Sequence, residues 1–566
     1  MSTCQLRMSQ SYHLTSPIAG NTATKPSNPC SGLAARFEEG ATTTLPESTT
    51  PEEAHCAERS EQRKKVIVVG AGISGLRAAA ILHGHGCEVV VVEARDRIGG
   101  RILTSRTGGR VRDIGAAWMH ETSQNSLVNL VPHLGIPYYY DDGVPLYFTR
   151  DGRAGSQFKA KKVADEFADY CQWYYDTHPD AEDRPVDEFI REFVLQHKLI
   201  TDDERCWAPQ AVREIELWIG TSTDLASSKH LSYFITERNL YMKGGYDLIV
   251  DWTANSLKND PEIIRLGHHV QHVEWKEGDG RELAVVHYTD SAGNAGHIEG
   301  DAVVMTVPLG VYHHNLISFN PPLPSDIQRG ISKFSYGALG KIFFEFTELF
   351  WSKDNDQFVF YPSPIDESEN SSASSMQSVT TVGSKGGGEK DNILNYSTVT
   401  INLWIMTGSK ELCVQVAEPL TQRIEAMKDT REIYQFFEPL FRLLRTEPYK
   451  ALPQLVSVET THWTQDPLAG FGTYSADKVG DDPSLLMDAL DNHKDSILQF
   501  AGEHCTLVAN GCVHGAFKTG ETAAENLLLS GLSLACIAGK KNQALNASDL
   551  NALTQSDEFF YSIFIV

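Results

Sequence analysis

Between the apolar run Val66-Ile67-Val68-Val69 and a stretch rich in alanine and leucine lies Gly70-Ala71-Gly72-Ile73-Ser74-Gly75. That spacing does its chemistry with the backbone. Gly70 permits a tight turn, Gly72 lets the main chain approach a pyrophosphate, and Gly75 lets the following helix pack closely on the strands. The helix start, with Ser74 in its first turn, offers free N–H groups and a positive dipole end to phosphates. A second run, Val89-Val90-Val91-Val92, stops on Glu93, where a carboxylate can accept hydrogen bonds from a ribose. Strand, turn, helix, strand and acid in this order hold an adenine dinucleotide, either NAD or FAD.

Other side chains have types and surroundings suited to chemistry on an organic substrate. Lys341 stands inside the apolar run GKIFFEF, where an inward-facing ammonium would be costly to bury without a role or a partner. Periodicity equally allows it to face solvent. His120 closes GAAWMH and can accept a hydrogen bond from a cation or take its proton near neutral pH, although a lone histidine is more often structural. Its neighbour Glu121 can pair with a distal ammonium or be solvated. Trp463 and Tyr474 in THWTQDPLAGFGTYSA read as site walls or as ordinary core aromatics. Glu214 and Glu216 in AVREIELWIG are two apart on an expected helix and cannot share a face, so at most one points inward to bind a cation, and they read best as a solvated pair. His514 in GCVHGAF reads as structural. The ten cysteines are scattered without CxxC or zinc-like spacing, so no metal site is expected.

Downstream of the glycine turn, RDRIGGRILT (95–104) places Gly99-Gly100 before Arg101, GGRVRDIGAAWMH follows at 108–120, and FAGEHCTLVANGCVHGAFKTGETAAENLL lies near residue 500. These segments resemble the FAD-binding signatures of the flavin amine oxidase family, which includes polyamine oxidases, monoamine oxidases and lysine-specific histone demethylases. The resemblance spans residues 64–530 with gaps and is greatest to the yeast-type polyamine oxidases. It implies non-covalent FAD, with Glu93 at the adenosine ribose, Arg101 along the pyrophosphate, the Val270 backbone at the adenine, and Glu503 with the backbone near Val513 at the ribityl and phosphate region. It implies Trp463 against the isoalloxazine and Tyr474 in the wall of the substrate site. It also turns Lys341 inward, hydrogen-bonded through a water to flavin N5, and makes His120, with Glu121, a binder of the amine. TGETAAENLL is expected to be a helix whose N-terminus faces the pyrimidine end of the flavin.

The reaction this implies is oxidation of spermine, spermidine or their N-acetyl forms. A hydride passes from the carbon beside a secondary amine to N5, the imine is hydrolysed to an aldehyde and an amine, and oxygen becomes hydrogen peroxide. Another amine, an L-amino acid, or ligand binding without turnover remain as alternatives. A monoamine oxidase is disfavoured: no cysteine lies between Cys413 and Cys505 to attach a flavin, and the tail is too short and polar to span a membrane. A histone demethylase is disfavoured because the corresponding insertion here is Ser/Gly-rich and lacks heptads.

At 566 residues the chain is long enough for two domains. The expected frame is α/β. A doubly wound, Rossmann-type FAD-binding domain, discontinuous in sequence, takes 63–145, 241–317 and 455–535; a mixed α/β substrate-binding domain takes 146–240 and 318–454. Residues 1–62 read as a flexible leader, 366–392 as a disordered loop inserted between two paired strands, and 536–566 as a tail. Strands are expected at DAVVMTVPLGV, GKIFFEF and STVTINLWIM, and a helix at KKVADEFADYCQWYY. Lys+Arg 49 against Asp+Glu 74 gives a net charge of -25, which disfavours nucleic acid and anionic membranes as partners and favours a small cationic amine. No apolar segment reaches membrane-spanning length. A cytoplasmic location is expected; the first 37 residues, rich in Ser and Thr and free of acids, leave organellar import open. Oligomeric state is not legible.

Overall fold

The computed structural model describes residues 63–141, 145–155, 159–231, 239–277, 283–364 and 391–532. The expected leader, the tail and nearly all of the expected 366–392 insertion lie outside these residues. The strands that flank the insertion, Gln357–Phe360 and Thr398–Asn402, do pair with each other, antiparallel.

Lys65–Val69 and Glu88–Val92 are apolar at almost every position because each buries both faces. They pair in parallel, Ile67 opposite Val90. Ala302–Met305 and then Leu498–Phe500 extend the sheet on one side, and Ile264–Arg265 on the other. Val66, Val68 and Val91 pack into one core with helices Ile73–Gly84 and Val513–Leu527. Ile67, Val69, Val90 and Val92 point the other way, onto Val270, Val273 and Val286 of a four-stranded sheet. Helices therefore cover one face and a sheet the other, and the strand ends converge above the glycine turn.

The last described α-helix begins at Val513, ahead of the expected TGETAAENLL start, and Thr519 and Gly520 lie in its interior. Their types suggest a helix start in the sequence, yet here they serve packing. A Cβ on Gly520 would lie 2.2 Å from the Ser74 carbonyl oxygen, so only glycine lets this helix cross the first one so closely. Arg77 of the first helix donates to Glu521 of the last at 2.6 and 2.9 Å across the same contact.

A seven-stranded sheet forms the second layer, in the order Leu455–Thr460, Leu339–Phe346, Glu411–Ala417, Thr398–Asn402, Gln357–Phe360, Leu146–Thr149, Gly152–Arg153. One face, with Ile342, Phe344, Val414 and Phe358, packs on helices Leu420–Ala426 and Thr430–Leu443. The other carries Phe343, Cys413, Val399 and Val359 toward the helices of residues 160–219. Two expected strands are shorter than their apolar runs. STVTINLWIM is a strand only over Thr398–Asn402; Asn402 then caps a helical turn with its side chain, and the run continues as Leu403–Thr407. DAVVMTVPLGV is a strand to Met305, and Pro308 leads into the helix Leu309–His313. Among the described residues no helix is long and apolar enough to cross a membrane.

Candidate active site

A cavity of about 540 Å³ runs between these layers. Of the residues singled out in the sequence, Gly70, Gly72, Ser74, Glu93, Arg101 and Val270 line it, as do Trp463, Glu503 and Val513. Lys341, His120, Glu121 and Tyr474 line it too. Gly75 stands behind the wall, where a Cβ would fall 2.1 Å from the Gly70 carbonyl oxygen.

The glycine end fits a dinucleotide. Gly70 adopts φ +107°, open only to glycine, and turns the chain into the helix Ile73–Gly84. No side chain caps that helix, so its first N–H groups are unspent donors. A Cβ on Gly72 would meet no protein atom within 4 Å: the space above this residue belongs to the cavity. Glu93, buried at the end of the second strand, accepts from the Ala71 N–H at 2.7 Å and the Arg95 N–H at 2.8 Å. Two of its four acceptor positions remain for a ribose. Cradle, uncapped donors and acid are the set that an adenine dinucleotide requires.

Arg101 and Glu503 meet each other in the wall. Arg101 Nη1 donates to Glu503 Oε1 at 2.9 Å, to the Thr473 carbonyl at 2.7 Å and to Tyr336 Oη at 3.1 Å. Glu503 also accepts from Ser475 Oγ at 2.6 Å and from the Gly511 N–H at 2.9 Å. Burial pushes the Glu503 carboxyl up, but Arg101, His504 and Ser475 outweigh it and hold it below its usual value. The pair therefore stays ionised and fixes two otherwise separate segments against the cavity.

At the other end, three short strands set a row of polar groups. Tyr138–Asp141, Asn239–Met242 and Trp118–Met119 pair so that Asp141 lies opposite Asn239, with His120 just past Met119. His120 Nδ1 donates to Asn239 Oδ1 at 2.7 Å, leaving Nε2 as the acceptor in the neutral ring. Burial holds the His120 pKa below its usual value, so the ring is neutral at pH 7. Glu121 turns the chain with φ +53°, which costs a non-glycine residue roughly 1–2 kcal/mol. Its carboxylate is tied down by His514 Nε2 at 3.1 Å, while His514 Nδ1 and the His120 carbonyl both accept from Asn125 Nδ2, at 3.2 and 3.0 Å. The hydrogen bond from His514 keeps the Glu121 pKa below the ordinary carboxylate range.

Lys341 faces the cavity. Its ammonium donates to the carbonyls of Asp113 at 3.1 Å and Gly115 at 2.5 Å and lies 5.3 Å from the centre of the Trp118 ring. Burial pulls its pKa below the usual lysine value, partly offset by Cys413 and Asp113. Arg112 anchors the segment that carries these two carbonyl acceptors to the sheet through Glu411 at 3.0 Å and Glu459 at 2.7 Å. Trp463 is buried and donates its indole N–H to the Ile114 carbonyl at 3.2 Å; Tyr474 donates to the Trp218 carbonyl at 2.9 Å.

Asp141, Asn239 and Glu214 also line the cavity, and no local sequence pattern marks the first two. Asp141 accepts from Trp118 Nε1 at 3.1 Å and Gln357 Nε2 at 2.9 Å. Burial, then the neighbouring Asp356, raises its pKa to about 6. The solvated pair expected at Glu214 and Glu216 is absent. Glu216 is buried and bound by Arg213 and Thr223, whereas Glu214 faces the cavity and accepts from Tyr361 Oη at 2.9 Å. The chain passes from the 3-10 turn Val212–Ile215 into the helix Glu216–Ile219 between them, so both acids turn inward to different surroundings.

Residues 73–528 match the family model for flavin-containing amine oxidoreductases, and residues 19–117 match that for pyridine nucleotide-disulphide oxidoreductases. The corticosteroid-binding protein of Candida albicans is 28% identical over 492 residues, covering 82% of this chain and 96% of that protein. Polyamine oxidase 3 of Oryza sativa subsp. japonica is 30% identical over 488 residues, covering 82% and 90%. A solved structure of a putrescine oxidase redesigned in its cofactor binding superposes with a TM-score of 0.57 at 19% identity, over 82% of this chain and 99% of that one.

Proposed function

The chain belongs to the flavin-containing amine oxidoreductases, a family of FAD enzymes that act on small amines, and on that premise we propose that it oxidises polyamines with oxygen as the acceptor. When bound, FAD supplies the chemistry that takes a hydride equivalent from the carbon beside nitrogen and passes two electrons to oxygen, yielding hydrogen peroxide. Water adds to the resulting imine and the C–N bond breaks, leaving an aldehyde and a shorter amine.

The chain's own residues bind, orient and hold protons around that exchange. Segments 63–145, 241–317 and 455–535 supply the cradle, with Glu93 at the adenosine ribose, Arg101 along the pyrophosphate, Glu503 and the backbone near Val513 at the ribityl and phosphate region, Val270 at the adenine and Trp463 toward the ring, the cofactor being held without a covalent bond. Segments 146–240 and 318–454 bring Asn239 and Lys341 to the amine site, which His120, Glu121, Asp141 and Tyr474 reach from the cofactor segments. Neutral His120 accepts a hydrogen bond from the reacting ammonium or takes its proton, because only the free amine can give up a hydride. Asp141 and Glu121 attract the remaining positive charge. Lys341, held by two carbonyls, keeps one N–H to fix a water at the reacting end.

The single observation that carries this reading is the row His120, Asn239, Asp141 beside Lys341, in the same cavity as the glycine cradle. The relatives named polyamine oxidases support the substrate class. The name of the Candida relative keeps a second reading, an FAD protein that binds a ligand without turnover. Anaerobic titration of the yellow protein with spermine, N-acetylspermine, spermidine and a panel of L-amino acids separates them. Bleaching of the flavin band by a polyamine is expected. Bleaching only by an amino acid or another amine removes the polyamine assignment, and no bleaching at all favours the binding protein.

A further inference from the structure

We propose that Glu214 is the counter-ion for a second, non-reacting ammonium, so that the cavity prefers amines with a charged remote end and rejects those whose remote end is alkyl or acylated. This rests on the amine-oxidase reading above.

Position supports it first. Lys341, Gln415, Val399 and Val359 lie directly opposite one another on successive strands and so share the cavity side of the seven-stranded sheet. Strands stand about 4.8 Å apart, so the three steps from the Lys341 strand to the Gln357–Phe360 strand span about 14 Å. Tyr361, the residue that holds Glu214, follows that last strand immediately. The strand that leads into Tyr361 is thus three strands, about 14 Å, from that of the lysine, a separation that several methylene-linked nitrogens cover. Between the two ends the wall includes Val399, Ile401 and Leu217, which suit methylenes and offer no competing charge.

Charge supports it second. Among the described residues no Lys or Arg forms an ion pair with Glu214. Glu216, two residues on, takes Arg213 at 3.0 Å, and Lys161, whose charge reaches Glu214, is paired with Asp165. A carboxylate offers about four acceptor positions, and the Tyr361 hydroxyl fills one. Burial raises the pKa of this carboxyl, the mark of a group short of a counter-charge. A half-buried acid that faces a cavity without a cation favours taking a proton or receiving a cation, and a polyamine brings one.

The test compares spermine with a secondary dialkyl monoamine of equal length, by steady-state kinetics and flavin bleaching. Wild type is expected to prefer spermine, and Glu214→Gln to lower the ratio of kcat/KM for the two amines by at least about thirtyfold, mainly through the KM for spermine. Glu214→Asp should give an intermediate ratio, and Tyr361→Phe, which frees the carboxylate from its one fixed bond, a smaller fall. An unchanged ratio in Glu214→Gln, or a loss shared equally by both amines, overturns the proposal while leaving the amine-oxidase reading intact. If Glu214→Gln does not retain flavin, the ratio in Tyr361→Phe decides, and no fall there overturns it. Failure of every amine to bleach the wild-type flavin overturns both readings.

Discussion

The two ends of the cavity are built by different means. The cradle is mostly backbone, and one unbroken stretch, Val66 to Glu93, supplies its turn, its donors and its acid. The amine end is side chains, brought from residues 120, 141, 214, 239, 341 and 415 by two separate sheets and a 3-10 turn. Recognition by backbone needs a local conformation, which neighbouring residues dictate. Recognition by side chains needs only that distant chain segments meet, and nothing local marks them.

The contrast breaks most sharply at Gly72. Because a Cβ there strikes no protein atom and enters the cavity, Gly72→Val should fold and melt like apo wild type yet copurify with no flavin, read by absorbance after gel filtration. Gly75→Val, which puts a Cβ 2.1 Å from a carbonyl oxygen, should instead cost more than about 3 kcal/mol of stability with or without FAD. Equal effects at the two positions would remove the distinction between cradle floor and packing contact. At the side-chain end, Lys341→Met should keep the flavin and slow the reductive or the oxidative half-reaction about a hundredfold in stopped-flow measurements. Unchanged rates in both would take Lys341 out of the site.

His120→Ala should lower kcat/KM for the best amine by roughly ten- to a hundredfold, the loss of one hydrogen bond to a charged partner. Asp141 gives the smallest effect and a pH signature. Its raised pKa means that it loses its charge as pH falls through about 6, earlier than an ordinary aspartate. The advantage of wild type over Asp141→Asn in kcat/KM for a polyamine should therefore be full above pH 7 and shrink by up to about tenfold per unit below 6. A constant ratio across that range would mean that Asp141 does not face the cation.

Physical reasons separate what could be read in the sequence from what could not. The parallel strands were legible because burial on both faces leaves a continuous β-branched run. The same double burial hid the direction of Lys341: seven of the eight residues of Leu339–Phe346 are buried, so alternation carries no information there, and only the family resemblance turned the lysine inward. Asp141 and Asn239 meet through antiparallel register, one pairing among many that the sequence allows. Glu214 and Glu216 do face different surroundings, but neither is solvated as expected, because at the junction of the 3-10 turn and the helix each turns inward to its own partners. Thr519 and Gly520 misled because types that mark a helix start elsewhere serve here inside the helix, Thr519 bonding the Gly502 backbone and Gly520 allowing the close crossing.

The crossing of the first and last helices at Ser74 and Gly520 sets an order of events in synthesis. A nascent chain presents its phosphate-binding turn first, but the helix that supports that turn is Val513–Leu527, and the strand Leu498–Phe500 that completes the sheet beside it is also made late. More than 400 residues must leave the ribosome in between. Until then the flank of the first helix at Ser74 lacks the helix that crosses it, although residues up to Val304 already cover the rest of its apolar side. A message truncated before codon 513 would yield a protein with an intact glycine motif but without the helix that packs against it at Ser74.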